Sequence, residues 1–208
     1  MTDSTSRTPR LQKDAQMCSD PWLDRWLPLL AARAGAAPVL EIGCGEGADT
    51  VTLTKAGFDV SAFDLSPASV AAARLRAPGA RIECRDARDP LPRRATPYGA
   101  VIASLSLHYF PWAQTTAIVD EIASCLQAGG LLLCRLNSTE DRNFGAGHGP
   151  EIEKNFHAAH GRQKRFFDAA SVDRLFAQGW HRLSTAHLTT RKYVKRKALW
   201  EVVLEKAG

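Results

Sequence analysis

The feature that most constrains this chain is a short apolar run, Val39-Leu40-Glu41-Ile42, that breaks into glycine at alternating positions: Gly43, Gly45 and Gly47. A buried strand entering such a turn lets the backbone approach a ligand closely, because glycine has no Cβ and tolerates positive φ. A helix-compatible segment follows at once, at 49–56. Strand, glycine turn and helix predict an open α/β sheet, whose ligands sit at the carboxyl ends of its strands. The alternation continues. Further strands are predicted at 59–63, 81–85, 100–104 and 131–136. Helices are predicted at 21–33, with Asp20 as N-cap and Pro21 at the first helical position, at 66–76 behind Ser66-Pro67, and at 113–125.

The segment 137–167 breaks this rhythm. It is rich in glycine and histidine (Gly145, Gly147, Gly149, His148, His157, His160) and poor in large apolar side chains. A long irregular stretch inside a compact domain is usually functional or mobile, so it is expected to be a lid over the sheet's carboxyl edge. A helix at 169–178, with Asp168 as its cap, then precedes strands at 180–188 and 198–204. The basic turn between them, 191–197, is expected to be a solvated hairpin tip. Residues 1–16 are polar and are expected to form a disordered leader, leaving 17–208 as one domain.

Composition narrows the function. No apolar run approaches the roughly 20 residues a membrane span needs, and the N-terminus has no hydrophobic signal core, which points to the cytoplasm. The five cysteines (Cys18, Cys44, Cys84, Cys125, Cys134) include no C-x-x-C pair, and His148, His157 and His160 suit no standard zinc spacing, so no metal is expected. A net charge of +5 is mild: it could favour an anionic partner, but a charge this small is more often a property of a solvated surface.

The glycine spacing differs from the dinucleotide fingerprint G-x-G-x-x-G. Glu41, just before the turn, would repel pyrophosphate and suits an amine-bearing ligand. Asp64, ending the second strand, stands where doubly wound folds place an acid for ribose hydroxyls; the competing reading is a cap for the next helix. Asp86 ends the third strand, and its carboxylate beside the Ala87 N–H could read an amine and a ring nitrogen. Asp89 competes for that role.

Glu41-Ile42-Gly43-Cys44-Gly45-Glu46-Gly47, Asp64-Leu65-Ser66-Pro67 and Arg85-Asp86-Ala87 resemble the successive signature segments of class I S-adenosylmethionine-dependent methyltransferases. Tyr98-Gly99-Ala100-Val101-Ile102-Ala103-Ser104 resembles the family's fourth strand. Leu126-Gln127-Ala128-Gly129-Gly130 resembles its L-x-P-G-G turn, with Ala128 in place of proline. The resemblance covers 39–136. It implies a Rossmann-like, doubly wound seven-stranded sheet with a final antiparallel hairpin and helices on both faces. It implies S-adenosylmethionine as cofactor, with Glu41, Gly43, Cys44, Gly45 and Gly47 at the methionine part. Asp64 and Leu65 fall at the ribose, Asp86 and Ala87 at the adenine, and Ser104 beside the methyl group.

The loop after the fourth strand, 104–112, lines the space between cofactor and acceptor in related sequences. His108 is therefore the candidate general base; the alternative is that it packs on Tyr109 or Trp112 and only shapes the pocket. The loop lacks the Asn/Asp-Pro-Pro-Tyr/Phe signature of base-amine methylases. Arg135, Asn137 and Arg165 are candidates for holding an anionic acceptor, against plain salt bridging, and Trp22 for closing the cofactor pocket, against core packing. The expected activity is methyl transfer to O, N or S of a small molecule. Kept beside it are an RNA or protein acceptor and a non-catalytic cofactor-binding module. The oligomeric state is not legible.

Overall fold

A computed structural model describes residues 21–159, 161–191 and 195–208. Five strands alternate with helices: β1 (Val39–Ile42), β2 (Val60–Asp64), β3 (Arg81–Cys84), β4 (Tyr98–Ser104) and β5 (Leu126–Asn137). The helices are α1 (Leu27–Ala34), α2 (Ala48–Lys55), α3 (Pro67–Arg76), α4 (Trp112–Cys125) and α5 (Ala169–Leu175). An insertion carries β6 (Glu151–Glu153), β7 (Phe156–Ala159) and β8 (Arg162–Arg165), and the chain closes on β9 (Trp180–Thr190) and β10 (Lys197–Lys206). The main sheet has seven strands in the order β3-β2-β1-β4-β5-β10-β9, and β6-β7-β8 form a separate small sheet. Strands β1 to β5 pair in parallel, while β10 runs antiparallel to both β5 and β9.

Successive strand residues point to opposite faces, and the central strands are buried on both. Leu40, Ile42, Val101, Ala103, Leu132 and Cys134 join one core cluster under α4 and α5, with Ile118, Ile122 and Val172. Val39, Ala100, Ile102, Leu131 and Leu133 join the other, under α1 to α3, with Leu30, Leu53 and Val70. A near-continuous apolar run is what a parallel strand covered on both faces requires. The strand order reverses between β1 and β4, so the crevice above those two carboxyl ends is where such a sheet takes its ligand.

Three expectations change. The helix predicted at 21–33 is split into a 3-10 turn, Asp24–Trp26, and α1, whose first turn contains Pro28. Proline has no N–H to give and is tolerated only in the first turn, so an α-helix cannot run through it from Pro21. Asp20, the leader and part of the basic turn lie outside the described residues. Strand β5 starts at Leu126 rather than at 131, through a register shift opposite Tyr98 and Ala100.

The third change is in the insertion, which is not irregular. Asn155, at φ 60°, turns β6 into β7, and Phe156, Phe166 and Phe167 are buried. Strand β8 reads Arg-Gln-Lys-Arg, so no apolar alternation marks it. Backbone bonds pinch the base of the insertion shut, from Phe167 N–H to Asn137 O at 2.8 Å and from Thr139 N–H to Phe167 O at 3.0 Å.

Candidate active site

All three glycines of the β1–α2 turn have positive φ: 71° at Gly43, 54° at Gly45 and 82° at Gly47. Their surroundings differ. A Cβ on Gly43 would lie 2.6 Å from Ser106 Cβ, and one on Gly47 would lie 3.0 Å from Ala73 Cβ. Gly43 thus lets the turn meet the loop leaving β4, and Gly47 lets it meet α3. A Cβ on Gly45 would meet nothing within 4 Å. The middle of the turn is the part left open to a ligand.

Asp64 closes one side of that opening. Its Oδ2 accepts from the Gly45 N–H and its Oδ1 from the Ser66 N–H, both at 2.9 Å. The cap of α3 is supplied instead by Ser66 Oγ, which accepts from the Ser69 N–H at 3.2 Å. Asp64 is therefore not the helix cap that competed with a ligand role; it ties the glycine turn to the start of α3. Leu65 beside it is 66% exposed, an uncovered apolar side chain at the strand end. Ala87 packs half-buried against the core. Asp86 holds the Arg88 guanidinium with both oxygens and also accepts from the Arg88 N–H at 2.9 Å. That partner keeps its carboxyl below the usual carboxylate range. Asp89 donates its backbone N–H to Asp86 O.

Glu41 is buried, and Thr50 Oγ donates to its Oε2 at 2.5 Å, joining the end of β1 to α2 beneath the turn. Cys44 is buried in the core cluster that also holds Trp22, its thiol donating to Gly45 O at 3.6 Å. Burial, with the Glu41 and Asp64 charges adding, pushes that thiol up to about 12, so it stays protonated. Trp22 is itself buried. Its indole N–H donates to both oxygens of Asp49 at 3.0–3.1 Å, and its ring lies 5.0 Å from the Arg135 guanidinium. Trp22 therefore packs in the core, and its bond to Asp49 ties it to the first turn of the helix that follows the glycine turn.

At the end of β4 the chain turns sharply through Leu105, a non-glycine residue at φ 60°. Such a conformation costs about 1–3 kcal/mol and persists only where the surroundings hold it. It sends Ser106 back onto Gly43 and sets His108 in a 3-10 turn, Leu107–Tyr109. His108 is buried, and its ring centroid is 4.1 Å from that of Tyr109. Burial, then the Lys197 and Lys164 charges, hold its imidazole well below the usual histidine range. Ser104 Oγ, Ser106 Oγ, His108 Nδ1 and Asn137 Oδ1 are buried without a hydrogen-bond partner among the described residues. Buried polar atoms are normally satisfied. Four that are not, all at the carboxyl ends of β4 and β5, mark a place built to meet a ligand or water.

The acceptor-side candidates separate. Arg165 is committed to structure: it pairs with Glu153, donates to Phe110 O and Lys154 O, and lies against the Trp112 and Phe156 rings. Glu153 also accepts from the Trp112 N–H at 2.9 Å, so the insertion is clamped onto the start of α4. Arg135 is buried with Glu201 at 3.9 Å. Lys197 is a correction: it is not part of a solvated tip but is buried, donating to Asp141 Oδ2 at 2.6 Å. It starts β10, and antiparallel pairing brings that end to the carboxyl edge of β5. Lys164, Asp141 and Ser106 were not singled out from the sequence. No motif joins residues so far apart, and only the folded sheet edge collects them. Among the described residues, no group of three or more His, Cys, Asp or Glu is gathered as for a metal ion, and no helix is long and apolar enough to cross a membrane.

Residues 39–130 match a family model described as a methyltransferase domain. A ubiquinone biosynthesis O-methyltransferase of Xylella fastidiosa (strain 9a5c) is 32% identical over 123 residues, covering 57% of this chain and 47% of that protein. The enzyme of the same name from Xanthomonas axonopodis pv. citri is 35% identical over 108 residues, covering 50% of this chain and 44% of that protein. The chain thus spans about half the length of the curated relatives it matches. Among solved structures, an S-adenosylmethionine-dependent methyltransferase from Methanosarcina mazei aligns with a TM-score of 0.71 at 17% identity, covering 86% of this chain and 97% of that one. A magnesium protoporphyrin IX methyltransferase from Synechocystis PCC 6803 with bound SAH aligns at 0.67 and 18% identity, covering 89% and 82%. At these identities the structural likeness is one of fold. The matched span contains the glycine turn and the strand ends described above, and the seven-stranded mixed sheet has the fold of these solved methyltransferases.

Proposed function

We propose that this chain transfers a methyl group from S-adenosylmethionine to O, N or S of a small-molecule acceptor, and that it works in the cytoplasm. The observation that carries the reading is the open position at Gly45, beside Asp64 and backed by closed packing at Gly43 and Gly47. When bound, S-adenosylmethionine supplies an electrophilic methyl group on a cationic sulfur. The glycine turn takes the methionine part, with Gly43, Cys44 and Gly45 contributing backbone and Glu41 a negative charge beneath it. Asp64 still has an unused lone pair on each oxygen and accepts from the ribose hydroxyls. Leu65 lies beside the ribose, Ala87 flanks the adenine, and Asp86 reads its amine beside the Arg88 pair. Ser104 lines the methyl side.

The chain's contribution to rate is mainly alignment, which can lower a barrier by several kcal/mol when nucleophile and methyl are held in line. His108 stays neutral at physiological pH and therefore has its lone pair available. Held below the usual histidine range, it is a weak base, suited to an acceptor whose proton leaves late or to lining the pocket. The insertion, at 137–167, covers the acceptor side. Its docking on α4 and its closed base favour a small acceptor over a macromolecule. The RNA or protein reading needs a continuous basic surface from 191–197 to the site, and Lys197 turns inward instead. A non-catalytic module would keep the cofactor cradle but has no need of the unsatisfied groups beyond it.

Calorimetric titration with S-adenosylmethionine, S-adenosylhomocysteine and NAD tests the cofactor. Micromolar binding of the first two is expected, and tight NAD binding without a response to adenosylhomocysteine would overturn the reading. Screening small metabolites for adenosylhomocysteine release then tests the reaction. Limited proteolysis with and without ligand tests the covering role of 137–167; equal cleavage in both leaves it a plain appendage.

A further inference from the structure

Around His108 the fold gathers basic groups that the cofactor reading does not use. Strand β8 packs against the 3-10 turn that carries His108 and Tyr109. Residues two apart on a strand share a face, so Arg162 and Lys164 lie on one side of β8 and Arg165, clamped to Glu153, on the other. Lys164 stands opposite His157 in the β7–β8 register. It is half-buried, yet no carboxylate lies within ion-pair distance of it among the described residues. Lys197 enters from the start of β10, also buried, with its ammonium 2.6 Å from Asp141 Oδ2 and 4.7 Å from the Phe144 ring centroid. Each lysine's charge bears on His108 and on the other.

The charge balance is the informative part. Asp141 is ion-paired with Lys197, and Arg135 has Glu201 as a counter-charge. The Asp141 charge bears on Lys164 as well, so one carboxylate serves two lysines, and a positive charge is left over in a partly desolvated place, where an unpaired ammonium is costly. Burial and the neighbouring Arg162 already pull the Lys164 ammonium below the usual lysine range. At the carboxyl ends of β4 and β5, His108 Nδ1 and Asn137 Oδ1 lack partners among the described residues. A neutral acceptor would leave the Lys164 charge unpaired, and a negatively charged one removes that penalty.

We infer that the methyl acceptor is a small anion, carrying a carboxylate or an equivalent oxyanion, that is anchored by Lys164 among the groups that β8, His108 and the Lys197–Asp141 pair bring together. The inference rests on the methyltransferase reading, since it assigns the anchor of that reaction's acceptor. Arg162, exposed on the same face of β8, stands at the rim.

The test uses the full chain loaded with S-adenosylhomocysteine and two probes of nearly equal shape, benzoate and benzamide, titrated calorimetrically at low ionic strength. A hydrogen bond to a charged partner contributes about 1.5–3 kcal/mol, so benzoate is expected to bind roughly tenfold or more tighter than benzamide. Lys164→Met should bring benzoate down to the benzamide level, and Lys164→Arg should keep most of the preference. Equal affinities in the wild-type protein, absence of benzoate binding, or a preference that survives Lys164→Met overturns the inference. The wild-type pair of probes decides the matter even if the methionine variant does not fold. Failure of adenosylhomocysteine to load appears in the same experiment and removes the methyltransferase reading together with the anchor. Loading with indifference to the probe's charge removes the anchor alone.

Discussion

The two sides of the β1–β4 crevice are built by different means. On the cofactor side, the working parts are backbone: a glycine turn at positive φ, and strand ends whose acid bonds to neighbouring N–H groups. On the side toward the insertion, where we propose the acceptor lies, they are side chains from the ends of β4 and β5, the loop carrying His108 and the start of β10, buried and only partly satisfied. A backbone site is specified within a few consecutive residues and tolerates little change of shape. A side-chain site is assembled across the chain, and charge balance rather than shape sets its limits.

The largest expected effect breaks the acceptor side. Asp141→Ala leaves Lys197 buried and unpaired, which should lower unfolding free energy in urea by about 3–5 kcal/mol; a loss under 1 kcal/mol would mean the pair is already wet. On the cofactor side, Gly43→Ala meets Ser106 and a positive φ together. Overpacking and the left-handed backbone predict a loss of about 2–4 kcal/mol. Gly45→Ala carries only the backbone cost, about 1–2 kcal/mol, yet should abolish most adenosylhomocysteine binding because it fills the open position. Equal stability losses for the two alanines would remove the distinction between packed and open glycines.

Asp64→Asn should weaken adenosylhomocysteine roughly tenfold or more, the scale of a charge-assisted hydrogen bond; unchanged affinity in calorimetry takes Asp64 out of the site. His108 sharpens the contrast through pH. Its folded-state affinity for protons is reduced relative to the ordinary value of 6.5. The unfolded chain therefore binds the proton first as pH falls below about 6.5, and stability should drop by up to about 1.4 kcal/mol per pH unit. His108→Gln should flatten that acid limb, and an unchanged limb would assign it to other groups. The smallest effect belongs to Arg88→Ala. Its pair with Asp86 is exposed, so the melting temperature should not move measurably, while any change in adenosylhomocysteine affinity would tie Asp86 to the adenine.

Legibility in the sequence follows the same divide. Gly43-x-Gly45-x-Gly47, Asp64 and Ser66-Pro67 each carry a local rule, and the fold places the strand, turn and helix where those rules put them. The split of the first helix was also written locally, in Pro28, though periodicity hid it. The sheet formed by β6, β7 and β8 was not readable. Its last strand carries no apolar alternation, and its order comes from Phe156, Phe166 and Phe167 packing under it and from Arg165 reaching Glu153 and Phe110. Lys197 looked like one more cation in a basic run, since nothing near it in the chain announces Asp141.

By itself, then, the sequence determined the doubly wound sheet, its glycine turn and the kind of cofactor such a turn suits, because those depend on backbone conformation and on periodicity over a few residues. Only the tertiary structure decided which glycine stays open, which acid ties the turn to α3, and which buried lysine finds an ion-pair partner. Those properties depend on distances between residues far apart in the chain. No local pattern encodes them until the antiparallel return of β10 and the folding of the insertion bring the groups together.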